Sequence, residues 1–211
     1  DIRLLGLSGV GKTRVIYEAL KKSTLTTNTF YYDCNKKDDL KMRSVANLFF
    51  EDNRFNYMLI IDNCSLALFR QLMHDKIENK SNCKIISINN NPEEIYEDKL
   101  PPEECDYLLI ETKELEDIVI QIIEKNGKTL TDPEKKRILD FADGIPLMAV
   151  LLCKNILNSD ETFGYLSDKD LLNKLLNVED EQDTILETLS LFKYLHYDNQ
   201  ACKVIKSNSI T

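Results

Sequence analysis

The chain has no long apolar run and no secretory signal peptide. Its 211 residues contain no uninterrupted apolar stretch near the roughly 18 residues that a membrane-spanning helix requires. The sequence therefore predicts no membrane partner. Because the first apolar segment begins at Ile2 with no leader before it, we expect the sequence to be a piece of a longer protein.

Acidic residues outnumber basic ones, 36 to 27, and no two cysteines form a C-x-x-C pair. The net charge of −9 argues against direct, general binding to nucleic-acid backbones. Any bound polyphosphate must then be neutralised locally. With six widely spaced cysteines and two histidines, the spacing argues against a zinc site. We expect buried free thiols and a cytoplasmic location, where thiols stay reduced.

What the chain does contain is an ordinary globular composition with a regular alternation of patterns. Hydrophobic residues make up 43% and charged residues 30%, which excludes a disordered chain. In the first half, short apolar runs alternate with stretches of helical periodicity, which predicts an α/β fold with a parallel sheet. The predicted strands are Ile2–Leu5, Thr29–Cys34, Tyr57–Ile61, Cys83–Ile88 and Tyr107–Ile110. The predicted helices between them are a first helix ending near Lys22, then Asp38–Phe50 and Leu66–Ile77.

The pattern changes after Thr112, where every periodic stretch is helical. The predicted helices are Lys113–Lys125, Asp132–Ala142, Ile145–Leu157, Asp168–Leu176 and Asp183–Leu195. Asp132 before Pro133 is typical of a helix start, with a side-chain cap followed by a proline in the first turn. The sequence therefore predicts an α/β domain over residues 1–112, followed by a helical region.

Residues 6–13, GLSGVGKT, match the phosphate-binding pattern G-x-x-x-x-G-K-[ST] at every fixed position. Glycines allow successive main-chain N–H groups to point at phosphate oxygens, and the following helix adds the positive end of its dipole. We expect Lys12 to contact the β- and γ-phosphates and the Thr13 hydroxyl to ligate Mg²⁺. Arg14 either contacts an α-phosphate or lies on the helix surface. The residues predicted to hold the phosphates are Gly6, Ser8, Gly9, Val10, Gly11, Lys12, Thr13 and Arg14.

A carboxylate follows the central apolar strand. Asp62 is the candidate second anchor for Mg²⁺, usually through water, and the alternative is that it caps the next helix. The next residue, Asn63, stands where hydrolytic P-loop ATPases often carry an acid that activates water. Because an amide orients a water without taking its proton, we expect slow hydrolysis. The candidate catalytic residues are Lys12, Asp62, Asn63 and Asn89.

The strand after Asp62 ends in a run of asparagines before Pro92. In many ATPases a polar residue at this strand end senses the γ-phosphate, so Asn89 and Asn90 are candidates, and an ordinary turn is the alternative. The nearest approach to a guanine-binding Asn-Lys-x-Asp signature, residues 79–82, lacks the final Asp. The sequence therefore favours ATP and ADP over guanine nucleotides.

Together these motifs resemble the STAND class of signal-transducing P-loop NTPases, which contains NB-ARC and NACHT domains. Residues 144–147, Gly-Ile-Pro-Leu, are similar to the GLPL motif of NB-ARC proteins. The resemblance implies a three-layer α/β/α fold with a five-stranded parallel sheet in the order 5-1-4-3-2, and it places Pro146 against the adenine. It also implies a helical domain over residues 113–178 and the start of a winged-helix domain over residues 179–211.

Two positions depart from the NB-ARC pattern. The pair Asp62-Asn63 stands where two acids are usual, and Asn89 stands where an arginine sensor is usual. The phrase Ile61-Asp62-Asn63-Cys64 is more similar to prokaryotic antiviral (Avs-type) STAND proteins.

The resemblance implies a regulatory switch, in which ATP with Mg²⁺ favours an open arrangement that lets copies of the protein form a homo-oligomer. An upstream effector and a downstream sensor are expected in the whole protein. One alternative is an AAA+-type motor or loader, for whose arginine finger Arg137 is the only candidate in the helical half. The other is a small-molecule P-loop kinase, but no arginines cluster in a lid-like loop.

Overall fold

The computed structural model describes residues 1–23, 28–36, 39–96, 104–126 and 130–157. In the first half, strands alternate with helices as predicted. The strands are β1 (Ile2–Gly6), β2 (Thr29–Asp33), β3 (Met58–Asp62), β4 (Lys84–Asn89) and β5 (Asp106–Ile110). The helices are α1 (Lys12–Lys21), α2 (Asp39–Glu51) and α3 (Leu66–Glu78).

The five strands form one parallel sheet in the order β2-β3-β4-β1-β5. This is the expected order 5-1-4-3-2 read from the other edge, so the predicted fold class is confirmed. Strand β1 has β4 on one side and β5 on the other. Parallel sheets bind ligands beyond the carboxyl ends of their strands, where the strand order reverses. The segment that follows β1 therefore lies where a ligand site is expected.

Helices cover both faces of the sheet. On one face, Leu59 and Ile61 of β3 pack in a cluster with Phe50 of α2 and Phe69 of α3. On the other face, Ile60 packs in a cluster with residues of α1. Burying each such side chain stabilises the fold by about 1.5–3 kcal/mol. The two clusters explain why β3 is an unbroken apolar run, and they give the predicted three layers.

The helical half consists of α4 (Glu116–Asn126), α5 (Asp132–Ala142) and α6 (Pro146–Leu157) in the described residues. These helices have their own buried cluster, which includes Val119, Ile138 and Leu152. A short 3-10 turn, Thr112–Glu114, precedes α4, which begins at Glu116 instead of the predicted Lys113. No helix in the described ranges is both long and apolar enough to cross a membrane.

Several predictions about the later part of the chain lie outside the described residues. These are the helices Asp168–Leu176 and Asp183–Leu195 and the start of a winged-helix domain over 179–211. The predicted helical domain, 113–178, is described only as far as residue 157. The domain boundary predicted at residue 112 stays a prediction; a 3-10 turn, Thr112–Glu114, lies there.

The predicted cap of α5 was wrong by one residue. The N-cap is Thr131, whereas Asp132 is the first residue of the helix. The Thr131 main-chain nitrogen and hydroxyl both donate to Oε2 of Glu134, at 2.8 and 2.7 Å. A Thr followed three residues later by Glu is the sequence of a capping box, which outcompetes Asp132 for the cap position.

Candidate functional site

The loop between β1 and α1 takes the conformation that a phosphate cradle requires. Gly9 and Gly11 have φ angles of 85° and 98°, a region that residues with a Cβ rarely adopt. Gly11 is the N-cap of α1 and has no side chain to satisfy the first amides of the helix. The first turn of α1 also contains no acidic residue. This helix start therefore presents N–H groups and a positive dipole end to an external anion.

Lys12 places a buried ammonium group inside this loop. Its Nζ donates to the carbonyl oxygens of Gly6 and Leu7 at 2.8 and 2.7 Å. Burial lowers the pKa of Lys12 to about 8, and the Asp62 carboxylate opposes this shift. A phosphate oxygen is a stronger acceptor than a neutral carbonyl because the hydrogen bond is charge-assisted. The ammonium group is therefore held where an incoming polyanion would relieve its desolvation.

Asp62 at the end of β3 meets Thr13 in the first turn of α1. The Thr13 hydroxyl donates to Oδ2 of Asp62 at 2.7 Å. Oδ1 of the same carboxylate accepts the main-chain N–H of Asn63 at 2.9 Å. Helix α3 is capped by Ser65, whose hydroxyl accepts the N–H of Leu68 at 3.2 Å. Asp62 is therefore not the helix cap, and its carboxylate faces the phosphate loop.

Tyr31 joins the same carboxylate from the edge strand β2. Its hydroxyl donates to Oδ2 of Asp62 at 2.9 Å. Desolvation of the hydroxyl, followed by the hydrogen bond to Asp62, raises the pKa of Tyr31 well above its usual range. The hydroxyl therefore remains a protonated donor at neutral pH.

Asn63 is held on both sides by polar side chains, one at the end of β2 and one just beyond the end of β4. Its Nδ2 donates to Oδ1 of Asp33, the last residue of β2, at 2.9 Å. Its Oδ1 accepts Nδ2 of Asn90 at 3.0 Å. The residue adopts a left-handed backbone with φ of 55°, which asparagine tolerates better than most residues. These two hydrogen bonds fix the side-chain amide of Asn63, and one of its partners is the carboxylate of Asp33.

Asn89 and Asn90 have different surroundings. The Asn89 side-chain amide donates to Oε1 of Glu94. Glu94 is itself paired with the fully buried Arg3 at 2.5 Å. Asn90 lines the cavity above the loop, whereas Asn89 does not. Of the two candidates for sensing a γ-phosphate, the geometry favours Asn90 over the predicted Asn89.

These groups surround a cavity of about 430 Å³. Its lining residues are Ser8, Gly9, Gly11, Lys12, Thr13, Arg14, Asn35, Asp62, Asn63, Asn90 and Leu147. Among the other predicted phosphate-loop residues, Gly6 offers its carbonyl to Lys12, and the side chain of Val10 is buried. The guanidinium of Arg14 lies 2.6 Å from Glu18 on the surface of α1. The structure thus brings most of the predicted site together around one opening.

The helical half contacts the loop through the start of α6. The main-chain N–H of Leu147 donates to the carbonyl oxygen of Gly9 at 3.2 Å. A Cβ added to Gly9 would lie 3.0 Å from both Cγ2 of Ile145 and Cβ of Leu147. Pro146, predicted to contact adenine, begins α6, but its neighbour Leu147 lines the cavity instead. Residues 144–147 therefore lie directly on the phosphate loop.

The donor set fits a triphosphate with Mg²⁺, as the resemblance implies. A threonine hydroxyl and a carboxylate 2.7 Å apart are the hard oxygen groups that Mg²⁺ selects. The buried ammonium of Lys12 and the open start of α1 supply the positive potential that phosphates need in an acidic chain. Thr13 and Asp62 would hold the metal, and the loop main chain with Lys12 would hold the phosphates.

No family model matches the chain, and no curated protein matches it. Similar solved structures include PCH-2 of C. elegans, with a TM-score of 0.46 and 14% identity over 83% of this chain. They also include Drosophila ORC bound to DNA, with 0.43 and 14% over 94%. A third is the Signal Transduction ATPase with Numerous Domains (STAND) protein with a tetratricopeptide repeat sensor from Pyrococcus horikoshii, with 0.45 and 17% over 92%. The chain spans 59%, 64% and 33% of their respective lengths.

Sequence reasoning missed Tyr31, Asp33 and Leu147 as neighbours of the site. For Asp33 a signal was present, because it ends β2 and the carboxyl ends of parallel strands meet at one edge of the sheet. In the observed register, Asp33 is directly opposite Asp62. Leu147 belongs to the motif at residues 144–147, but its contact with the loop uses a main-chain N–H, which no side-chain pattern predicts.

Proposed function

We propose that this chain is the nucleotide-binding module of a STAND-type signalling switch, in which ATP with Mg²⁺ on the phosphate loop controls how the helical half is positioned. The proposal also includes the finer placement among Avs-type antiviral proteins. It further includes a cytoplasmic whole protein that forms oligomers and carries effector and sensor regions. The observation that carries it is the hydrogen bond from Leu147 to Gly9, because it connects the helical half directly to the loop.

The peptide unit between Gly9 and Val10 connects the phosphate loop to α6. In a trans peptide, the carbonyl of one residue and the N–H of the next point in opposite directions, and the chain has no cis peptide among its described residues. Since the Gly9 carbonyl faces α6, the N–H of Val10 points away from α6. A phosphate bound by the Val10 N–H would polarise this peptide and strengthen its carbonyl as an acceptor of the Leu147 N–H. Ligand occupancy would therefore be felt at the first turn of α6.

A nucleotide shifts the equilibrium between the two positions of the helical half only if it binds the two arrangements with different affinities. ADP and ATP differ in the γ-phosphate, which would lie toward Asp62, Asn63 and Asn90. We infer that ADP favours the arrangement with Leu147 on Gly9, and that ATP with Mg²⁺ favours release. The held amide of Asn63, which cannot act as a base, would make the ATP state long-lived.

The test measures hydrogen exchange at the first turn of α6 together with the molecular mass in solution. The full chain is compared in ADP and in ATP with Mg²⁺, and Lys12→Ala is the control for nucleotide-independent effects. We expect faster exchange at Leu147 and a larger assembly with ATP than with ADP. Nucleotide binding without a difference in either readout would overturn the switch. A specific ATPase rate that rises with protein concentration would instead favour an AAA+-type motor, whose sites are completed by a neighbouring subunit.

A further inference from the structure

We propose that Tyr31 is a positioning residue for the metal: its hydroxyl holds the Asp62 carboxylate in the orientation that Mg²⁺ bound with a triphosphate requires. The inference rests on the proposed function, since it assigns a further residue to the same site. Tyr31 lies on the edge strand β2, outside the phosphate loop and outside the strand that carries Asp62.

Three protein donors fix the Asp62 carboxylate. Oδ2 accepts the hydroxyl of Thr13 at 2.7 Å and the hydroxyl of Tyr31 at 2.9 Å. Oδ1 accepts the N–H of Asn63 at 2.9 Å. A carboxylate offers about four acceptor positions. These donors therefore leave about one position, on Oδ1, and its direction is set by the other three.

This arrangement suits a cation that keeps its water shell. Mg²⁺ is commonly bound through one or two carboxylates and several retained waters, so the direction of the remaining lone pair decides whether a metal-bound water can donate to it. Side chains that orient metal-binding groups typically contribute 10–100-fold to metal affinity. Removing the Tyr31 hydroxyl would remove one of these three donors and loosen the orientation of the carboxylate, which Thr13 and the Asn63 N–H would still contact.

The exposure of Tyr31 shows that packing is not its main role. Its side chain is 55% exposed, beside an apolar groove lined by Ile16, Leu20 and Ile60. Tyr17 lines the same groove and is 56% exposed, but its ring contacts the guanidinium of Arg14 instead of Asp62. Tyr17 is therefore a matched control, which differs from Tyr31 in lacking the contact with the carboxylate.

The experiment measures ATP affinity by calorimetry for wild type, Tyr31→Phe and Tyr17→Phe, with excess Mg²⁺ and with a chelator. We expect Tyr31→Phe to weaken ATP binding about 10-fold with Mg²⁺ and to leave it unchanged with the chelator. The Mg²⁺ concentration at half-maximal binding should rise by a similar factor. Tyr17→Phe should match wild type in both conditions. Thermal unfolding without nucleotide checks that each variant is folded.

Other outcomes would overturn the assignment. Equal losses with and without Mg²⁺ would give Tyr31 a role in holding the nucleotide or the fold. Unchanged affinity in both conditions would make the hydrogen bond irrelevant to the metal, and tighter Mg²⁺-dependent binding would mean that the hydroxyl competes with the metal shell. Failure of the wild-type chain to bind ATP would reject the proposed function itself. If wild type binds ATP, the variants test the role of Tyr31 alone.

Discussion

The main-chain N–H of Leu147 donates to the carbonyl of Gly9, so that the first turn of α6 is attached to the middle of the phosphate loop. The turn before α6 also packs closely against the end of the α/β half. A Cβ added to Gly144 would lie 2.2 Å from the carbonyl oxygen of Thr112. The glycines at positions 9 and 144 thus allow the two halves of the chain to meet at van der Waals distance.

Replacing Gly9 by alanine should loosen this attachment. The new Cβ would add crowding against Ile145 and Leu147 to the strain of a positive φ, each amounting to roughly 1–2 kcal/mol. Gly11→Ala is the matched control, since Gly11 has a similar φ but no atom within 4 Å of an added Cβ. Urea unfolding without nucleotide should show a larger loss for Gly9→Ala. Equal losses would mean that contact with α6 contributes nothing measurable.

Exchanging the side chains of Asn63 and Asp33 should raise the rate of ATP hydrolysis. Wild-type turnover should lie below about 1 s⁻¹, because the position of the usual base is an amide. The double variant Asp33→Asn with Asn63→Asp keeps a donor and an acceptor 2.9 Å apart but moves the acid into the cavity lining. We expect turnover to rise about 10–100-fold, within the range of general-base contributions.

The single variant Asn63→Asp serves as a control for the double variant. Asn63→Asp alone brings a second carboxylate against Asp33, and the resulting repulsion should lower stability. Phosphate release measured under single turnover separates chemistry from product release. A double variant that binds ATP but hydrolyses no faster than wild type would contradict the exchange of roles.

Substitutions at Asn89 and Asn90 should have different effects on stability and on ATP binding. Asn89→Ala removes a donor to Glu94, the partner of buried Arg3, and the acceptor of the Asn90 main-chain N–H, so the free energy of unfolding should fall by about 1–2 kcal/mol, with a smaller change in ATP affinity than Asn90→Ala causes. Asn90→Ala should leave stability within about 0.5 kcal/mol and change ATP affinity or turnover. Urea unfolding and calorimetry on both variants measure this, and the reverse pattern would restore Asn89 as the sensor.

Nucleotide binding should take up a proton at alkaline pH. Burial lowers the pKa of Lys12 to about 8 in the ligand-free chain, whereas a bound triphosphate favours the ammonium form and raises that pKa. At pH 8.5 Lys12 is mostly neutral before binding, so formation of the ATP complex should take up roughly three quarters of a proton from the buffer, and affinity should fall as pH rises above about 8. Calorimetry in two buffers of different ionisation enthalpy measures the uptake. ATP binding with no uptake at pH 8.5 would show that Lys12 is already charged.

Much of this site follows from local chemistry in the sequence. Residues 6–13 match at fixed spacing because a main-chain cradle, an ammonium and a hydroxyl must all reach one phosphate. Asp62 follows because a metal-binding acid must end a buried strand. The parallel sheet follows from apolar runs separated by helical stretches. Each of these signals lies within a few consecutive residues.

The remaining features depend on contacts between distant segments. The distinction between Asn89 and Asn90 is set by Glu94 and Arg3, which lie outside the strand end itself. The link from Leu147 to Gly9 uses main-chain atoms that every residue except proline possesses. Tyr31 reaches Asp62 only because β2 pairs with β3 in the observed register.

The central claim is that the loop between β1 and α1 holds the phosphates of ATP, and calorimetry on wild type and Lys12→Ala tests it most directly. Lys12 should contribute charge-assisted hydrogen bonds totalling at least about 3 kcal/mol, so the variant should bind ATP with Mg²⁺ more than about 100-fold more weakly while its unfolding remains cooperative. Absence of any heat from the folded wild-type chain, or equal affinity in the two proteins, would contradict it.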